Sequence, residues 1–501
     1  MATYEELSRK YHELESEDPI ALVCQEDFSK VDELGDNSRE AVERDAAKNI
    51  ALADEIRDSK YPGENIDEKL DMMLAENLLR GGALDDMALI GNTPCYALQP
   101  SALYTILQMT PDYIERDPRD KSKIVDGFIL RFNQLGKYLE NELKCLDRPN
   151  KIWVKLELMV AEGFDESAKA VWDFAKSVGY KNMTTLDAAI DKAREITRIY
   201  MTALSIIPKR RNMSFGHETA QRFFDHVCIP MTLTEMYVLA LNNLVEQNEI
   251  MSRLKPEIIK KYDLVGNPSN LEVSDFLKNR FATEKGKIRK KMRDEFEKAK
   301  RFAYEKGLVA PLTNESSRIE RPPKYLEPSI TTAAVFTPGS FCKGIRKSLC
   351  YVKDSEGDSE IEKEMNRLAI PWFVSHELIP GHHYQISRSN EHPSLVRAWS
   401  DPNCLAEGWT TYVAEDVMEE MGYARNPEFA KEKQFIDAVD KIRLSPRVMY
   451  TLAWMTGDRS YLTNSFVEAE NPDLHEACIE LFMKISGYPE NMARYDFEDF
   501  T

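Results

Sequence analysis

Apolar residues recur at three- and four-residue steps along most of the chain, which is the spacing of amphipathic α-helices. The segments that show it most clearly are ALYTILQM, IVDGFILRFNQLGKYLENELKCL, ETAQRFFDHVCIPMTLTEMYVLALNNLVEQNEIM and AEGWTTYVAEDVMEEMG. Short clusters such as YPGEN, DRPN and GNPSN mark helix ends between the periodic stretches. The pattern therefore predicts a mainly α-helical protein.

The helical period lapses between residues 310 and 352, where Pro, Ser, Thr and β-branched residues accumulate. Within this stretch SITTAAVF and SLCYVK are typical of short strands. We expect a small β-hairpin or short sheet next to the active-site cleft, with an edge that could bind an extended peptide. Residues 1–309 are predicted to form one helical wall of the cleft and residues 353–501 a helical catalytic region, within one compact domain.

Composition narrows the class of protein. The net charge of −19 disfavours nucleic acid and anionic membranes as partners. No run of about 18 apolar residues is present, and the polar amino terminus lacks the apolar core of a signal peptide. None of the eight cysteines has CxxC spacing. We expect a soluble, cytoplasmic protein with reduced thiols, a small-molecule or short-peptide substrate, and no nucleic-acid or membrane partner; the oligomeric state stays open.

Three of the eight histidines fall within HELIPGHH, at His376, His382 and His383. Histidine is the commonest metal ligand. In a straight helix neither late histidine would share a turn with His376, because each residue turns by roughly 100°. Pro380 disturbs the helix and Gly381 permits an unusual backbone angle, so a kinked or bulged helix is expected. One late histidine can then share a metal with His376; His382 is favoured, and His383 remains open.

A third ligand is expected in LAEGWTTYVAED, where Glu407 precedes Glu415 on a helix. With Thr411 they fall on one face at four-residue steps, and the apolar flanks predict that this face is buried. Buried carboxylates need partners, and a metal or a histidine serves. Glu377, beside the first histidine, is placed to accept a proton from a metal-activated water and pass it to a leaving group.

HELIPGHHYQ followed by AEGWTTYVAE resembles the domain-of-unknown-function 885 family, whose pattern is HExxPGHHxQ and then EGWxxYxE. The family is grouped with HExxH metallopeptidases that use a glutamate as third ligand. The resemblance implies a mostly helical, cleft-bearing metallohydrolase fold. It also implies metal ligation by His376, Glu407 and one of the late histidines, with Glu377 as base. Glu415 and Tyr412 are expected to support the ligands or contact substrate.

The chain departs from the family pattern after this point, where VDKIRLSPRVMYTLAWMTGDRSYL stands and a DTGLH-like stretch is absent. The residues that bind substrate or stabilise an oxyanion in the family are therefore not assigned by the resemblance, and replacements are sought in this segment. Tyr450 is the candidate catalytic residue in this segment, and Arg447 and Arg443 are candidates for substrate contact.

Three functions remain open. The first is a zinc-dependent hydrolase of an amide bond in a short peptide or amino-acid conjugate. The second keeps the metal site but holds iron, or manganese, and transforms an amino-acid-derived metabolite by oxidation or elimination, since two histidines and one carboxylate also form the iron triad of oxygenases. The third is an inert helical scaffold.

Overall fold

The computed structural model of the chain describes residues 2–211, 213–324, 326–327, 330, 332–353, 359–400 and 403–499. Helices make up most of that length, which confirms the prediction of a mainly α-helical fold with a short sheet. The helices of the first 309 residues are α1 Tyr4–Glu15, α2 Pro19–Cys24, α3 Arg39–Asp58, α4 Ile66–Met87, α5 Ala102–Gln108, α6 Thr110–Glu115, α7 Lys121–Cys145, α8 Lys151–Glu162, α9 Phe164–Ser177, α10 Met183–Ile206, α11 Gly216–His226, α12 Leu233–Lys261, α13 Asn270–Arg280 and α14 Ile288–Glu305.

The helices of the last 150 residues include the HELIPGHH stretch. They are α15 Ser359–Glu364, α16 Ile370–Glu377, α17 His382–Ser389, α18 Leu395–Trp399, α19 Asn403–Trp409, α20 Met418–Glu420, α21 Ala430–Lys441, α22 Leu444–Thr456, α23 Leu474–Ser486 and α24 Glu490–Asp499. A π-helical segment, Thr410–Val417, joins α19 to α20. Short 3₁₀ turns form at Cys95–Leu98 and Arg459–Leu462.

Helix starts follow local capping chemistry. Thr232 begins α12 with a capping box, in which its hydroxyl accepts from the Glu235 N–H while the Glu235 carboxylate accepts from the Thr232 N–H. Ser269 begins α13 in the same way. The long predicted run from Glu218 to Met251 therefore divides into two helices, because the chain leaves α11 after His226 and re-enters a helix at the Thr232 cap.

The predicted strands are present and a third joins them. β4 (Ala333–Phe336) pairs antiparallel with β5 (Arg346–Val352), with Val335 opposite Cys350. β3 (Glu315–Glu320) lies parallel to β5 on its other side, so the order is β3-β5-β4 and β4 is an edge strand. Ser329 and Thr331 of the predicted first strand lie outside the described residues. A separate two-stranded ribbon pairs β1 (Leu89–Ile90) with β2 (Thr93–Pro94).

Apolar cores cross the predicted boundaries at residues 309 and 352. One core joins α14 to the three-stranded sheet, α16 and α17, and includes Met292, Val352 and Val374. Another joins α1 and α4 to α18 through Tyr11 and Trp399. The HELIPGHH stretch is therefore held by the first of these cores, which draws on helices before and after the sheet. Within the described residues, no helix combines the length and the apolar character that a membrane crossing requires.

Candidate metal centre

HELIPGHH folds as the end of one helix, a four-residue break and the start of the next. α16 ends at Glu377 and α17 begins at His382, and the break between them contains a cis peptide bond at Ile379–Pro380. The prediction of a single kinked or bulged helix is wrong, because the chain leaves the helical conformation at Leu378, with φ −114° and ψ −101°, and regains it only after Gly381.

Gly381 is required by space. Its backbone, with φ −75° and ψ −140°, lies outside the helical and strand regions, which is the unusual angle that was predicted. A Cβ at this position would lie 1.7 Å from the His376 carbonyl oxygen and 2.3 Å from that of Ser375. The break therefore packs directly on the last turn of α16, and this contact brings the start of α17 towards His376.

Three donors converge where the two helices meet. Nε2 of His376 lies 3.8 Å from Glu407 Oε2, and Nε2 of His382 lies 3.4 Å from Glu407 Oε1. One ligand atom from each residue lies within 4.8 Å of the other two, and the two imidazole rings are perpendicular with centroids 4.9 Å apart. No other such group of three histidines, cysteines or carboxylates is found in the part of the chain that the structure describes.

Glu407 lies in the α-helix α19, but its side chain is not buried, in contrast to the prediction. The chain from Thr410 to Val417 is π-helical, with i→i+5 bonding, so Glu407 and Glu415 do not keep the four-residue phase of an α-helix. The Glu407 side chain is 65% exposed, whereas that of Glu415 is 5% exposed. Glu407 therefore projects into the cleft, where a ligand from solvent can reach it, and Glu415 lies behind the histidines.

Glu415 and Trp372 fix the orientation of His376. Nδ1 of His376 lies 2.9 Å from Glu415 Oε1, and the ring stacks on Trp372 with centroids 5.2 Å apart. Since an ionised carboxylate only accepts, Nδ1 carries the hydrogen and the Nε2 lone pair faces Glu407. Burial lowers the pKa of His376, but its hydrogen bond to Glu415 and the nearby carboxylates raise that pKa overall.

Glu377 lies between the edge strand and the three residues His376, His382 and Glu407, here called the metal group. The main-chain N–H of Val335 in β4 is near enough to the Glu377 carboxylate to favour its charged form. Burial raises the pKa of Glu377, while His376 and His382 oppose that rise. A glutamate with a raised pKa beside two histidines has the surroundings of a general base.

His383 points away from the metal group. It is fully buried, with Nε2 3.0 Å from Glu315 Oε2 of β3 and Nδ1 2.7 Å from the Ser348 hydroxyl of β5. Its candidacy as a ligand is therefore contradicted, because both ring nitrogens are engaged with the sheet. The hydrogen bond to His383 lowers the pKa of Glu315 to about 2, and Lys300 adds to that effect. His383 thus ties the start of α17 to the sheet.

The candidates further along the chain are not brought to the metal group in the predicted roles. Tyr450 is fully buried and its hydroxyl donates to Asp496, so it cannot reach a substrate. Tyr412 is 66% exposed and lines neither of the two cavities near the metal group. Arg447 does line a cavity beside the metal group, but its guanidinium donates to Asp496 at 2.6 Å.

Two cavities lie near the metal group. The smaller, about 310 Å³ and here called the charged cavity, is walled by His376, Glu407 and Glu415 together with basic and acidic residues of α13, α21 and the start of α22. The larger, about 1000 Å³ and mostly apolar, is lined by other residues of α17 and α19, among them Gln385 and Ala406. Only the charged cavity has metal-group residues in its wall, so it is the one that adjoins the chemistry.

Some residues of the site were not predicted. Trp372 lies one helical turn before His376, so helical period alone could have placed it on the same face. Glu315 and Ser348 gave no such signal, because only the three-stranded register brings them to His383. Val335 was within a predicted strand, but its approach to Glu377 depends on how the sheet packs on α16.

Fold and site together define a mainly helical protein in which two histidines and a glutamate face a cleft beside a short sheet. The chain belongs to the family described as bacterial protein of unknown function (DUF885), whose model matches residues 23–443. No curated protein matches it.

Two solved structures share the fold. One, described as a "putative lipoprotein of unknown function" from Shewanella oneidensis, has a TM-score of 0.74 and 17% identity. The other, described as a "putative lipoprotein" from Colwellia psychrerythraea, has a TM-score of 0.76 and 14% identity. Each match covers 100% of this chain and 89% of the other. At these identities the likeness shows the fold alone.

Proposed function

We propose that this protein is a metal-dependent hydrolase that cleaves an amide bond in a short peptide or amino-acid conjugate. The observation that carries the proposal is the convergence of His376, His382 and Glu407 at a cleft, with Glu377 beside them. Histidine nitrogens and a carboxylate oxygen are the donor set of catalytic zinc sites, which keep one position open.

The geometry fits zinc. Tetrahedral Zn²⁺ with bonds of 2.0–2.1 Å holds its ligand atoms roughly 3.3 Å apart. Two different carboxylate oxygens of Glu407 lie 3.4 Å and 3.8 Å from the two Nε2 atoms, and one ligand atom of each residue lies within 4.8 Å of the other two. The three donors would therefore have to draw together by at most about 1.5 Å to hold the ion. Glu415 holds the His376 tautomer that such binding needs. Manganese and iron(II) bind the same kinds of ligand atom, so the metal-reloading experiment below compares them with zinc.

A bound Zn²⁺ would polarise the substrate carbonyl and lower the pKa of water at the site. The chain supplies the proton transfer: Glu377 accepts a proton from the attacking water and donates it to the leaving nitrogen. Water adds hydroxyl to the carbonyl carbon, the C–N bond breaks, and an acid and an amine leave. The nearby N–H of Val335 favours the charged form of the Glu377 carboxylate. Tyr450 has no part in this scheme because its hydroxyl is buried.

The edge strand favours a short substrate. β4 is at the edge of the sheet and lies beside Glu377, so an extended chain could pair near the metal group with the main-chain groups of β4 other than the Val335 N–H, which is turned to Glu377. The strand has only four residues, and Arg116 already donates to the carbonyls of Phe336 and Thr337 at its end. Few main-chain groups are left for a substrate, which suits a short peptide or conjugate.

The proposal is tested with protein stripped by a chelator and reloaded separately with Zn²⁺, Mn²⁺ or Fe²⁺. Hydrolysis of a panel of N-acetylated dipeptides should return with metal, without need of oxygen. Glu377→Gln should bind metal as tightly as wild type and hydrolyse roughly 10²–10⁴-fold more slowly. If product formation requires iron and oxygen, the protein is an oxidative enzyme and the hydrolase proposal is wrong. Wild-type turnover by Glu377→Gln would remove the proposed base.

A further inference from the structure

The charged cavity contains five basic side chains, and four of them are occupied by carboxylates. Lys278 donates to Glu364 and Asp440, each at 3.1 Å, and Lys433 donates to Asp437 and Glu419 at 2.5 Å and 2.8 Å. Two further pairs are Lys441 with Asp416 at 2.9 Å and Arg447 with Asp496 at 2.6 Å. These four cations are therefore part of the wall.

Arg443 is the exception. Its Nε donates to the Asp440 carbonyl oxygen at 3.2 Å and its guanidinium lies 5.6 Å from the centre of the Tyr488 ring, which fixes the plane of the group. Its nearest carboxylate oxygen, on Asp440, is 3.9 Å from a terminal nitrogen and so beyond hydrogen-bond distance. Among the described residues none accepts from the two terminal nitrogens. A positioned guanidinium with both terminal nitrogens available matches a carboxylate in bidentate geometry.

Unlike Arg443, every acidic residue of the same cavity faces a cation or a histidine. Glu407 and Glu415 face the histidines, and the other five carboxylates, Glu364, Asp416, Glu419, Asp437 and Asp440, are paired with the three lysines. The lining holds seven carboxylates and five basic side chains, and each carboxylate already faces a cation or a histidine. Arg443 is the basic side chain of this lining that has no hydrogen-bonded carboxylate, so it is the group in the cavity that can bind the carboxylate of a substrate.

The size of the cavity sets how far the anion is from the scissile bond. A sphere of 310 Å³ is about 8 Å across, and one extended residue spans roughly 3.3–3.6 Å. Arg443, His376 and Glu407 all line this space, which at that width has room for about one or two extended residues. The free carboxylate of a peptide belongs to its carboxy-terminal residue. The charged cavity would therefore hold that residue, whose nitrogen becomes the free amine when the amide bond breaks.

We propose that Arg443 binds the free carboxylate of the substrate, so that the protein removes a terminal amino acid from an N-acyl amino acid or short peptide. This rests on the proposed hydrolase function and narrows it to exo-cleavage. The C–N bond next to the terminal residue breaks, water supplies hydroxyl to the acyl carbon and hydrogen to the nitrogen, and a free amino acid leaves from the charged cavity. The acyl side extends out of that cavity.

The test compares two probes that differ only at the terminal group, N-acetyl-Ala-Ala and N-acetyl-Ala-Ala-amide, with zinc-loaded protein. Wild type should cleave the free acid with a kcat/KM roughly 10- to 100-fold higher, the range expected for a hydrogen-bonded charge. Arg443→Met should reduce that ratio to about 1, and Arg443→Lys, which keeps charge but loses the planar fork, should fall between. Lys441→Met removes a charge from the same wall, but one already paired with Asp416, and should keep the preference.

A binding measurement separates this inference from the hydrolase proposal. Calorimetry with the Glu377→Gln protein measures the affinity of both probes without turnover, and Arg443→Met is then added to that background. If the acid binds through Arg443 but no variant or metal gives hydrolysis, the carboxylate site stands and the hydrolase fails. If hydrolysis is metal-dependent but acid and amide are bound and cleaved equally, the assignment of Arg443 is overturned. Preference for peptides with a free amino end and a blocked carboxylate overturns it as well.

Discussion

Gly381→Ala tests whether the close packing of the 378–381 break sets the metal geometry. The new Cβ would lie 1.7 Å from the His376 carbonyl oxygen, and real Cβ contacts essentially never fall below 3.0 Å. The two groups must therefore separate by at least 3.0 − 1.7 = 1.3 Å. His382 directly follows the substituted residue, so the separation moves one ligand relative to the other. Ligand sites tolerate about 0.5 Å of displacement.

We expect the affinity of Gly381→Ala for Zn²⁺ to fall by roughly 10- to 100-fold, as when outer supports of metal ligands are removed. Hydrolysis should fall by about 10²-fold for a misplacement near 1 Å. The metal-free protein should lose about 1–3 kcal/mol of unfolding free energy through overpacking. Competition with a chromophoric chelator measures the affinity, and urea unfolding of the apo protein measures the stability.

Gly408→Ala is the matched control. Gly408 follows Glu407 in α19, and a Cβ there would meet nothing within 4 Å. Alanine is favoured over glycine inside a helix by about 0.5–1 kcal/mol, so this variant should keep its zinc affinity and unfold at the same or a higher urea concentration. If Gly381→Ala binds zinc like wild type while the control behaves as expected, the break does not set the ligand geometry.

Three further changes probe the surroundings of the site and the fold. Glu415→Gln keeps the shape beside His376 but removes the charge, and chelator competition should show a 10- to 100-fold weaker zinc affinity. Ser348→Ala leaves Nδ1 of His383 with a weaker partner; urea unfolding should show a loss of about 1–3 kcal/mol, while zinc stoichiometry holds because His383 is not a ligand. Burial raises the pKa of Glu157 from 4.5 to about 7, so the folded chain binds more protons than the unfolded chain between those values. Stability should fall by up to about 3 kcal/mol as pH rises through that window, and Glu157→Gln should flatten the fall in urea titrations.

The helices were predictable because burial of one face repeats along the chain, and this holds for α7 and α12 alike. β3 was not predicted, since ESSRIE is polar and lacks alternation; it forms because β5 is apolar enough to be central and needs a partner on both sides. The same apolar periodicity predicts that Tyr450 is buried, because its neighbours in VMYTLAW place it on the buried face of α22. It was therefore a poor candidate for contact with a substrate.

Within the site, the residue types were predictable and their arrangement was not. The spacing of HELIPGHH could not decide between His382 and His383, because the choice depends on how the break packs on α16 and on Glu315 and Ser348 from distant strands. The π-helical segment likewise depends on packing and has no signature in TTYVAEDV. The sequence made both Arg443 and Arg447 candidates for substrate contact, and the two are told apart only because Arg447 is paired with Asp496 in the structure.

Metal stoichiometry of the wild type and of His382→Ala tests the central claim most directly. Both proteins are incubated with Zn²⁺, freed of excess by gel filtration and analysed for zinc per chain, with circular dichroism to confirm equal helix content. The account predicts close to one zinc per chain in wild type and background zinc in the folded variant. A folded His382→Ala protein that retains one zinc per chain, or a folded wild type that takes up none, would contradict it.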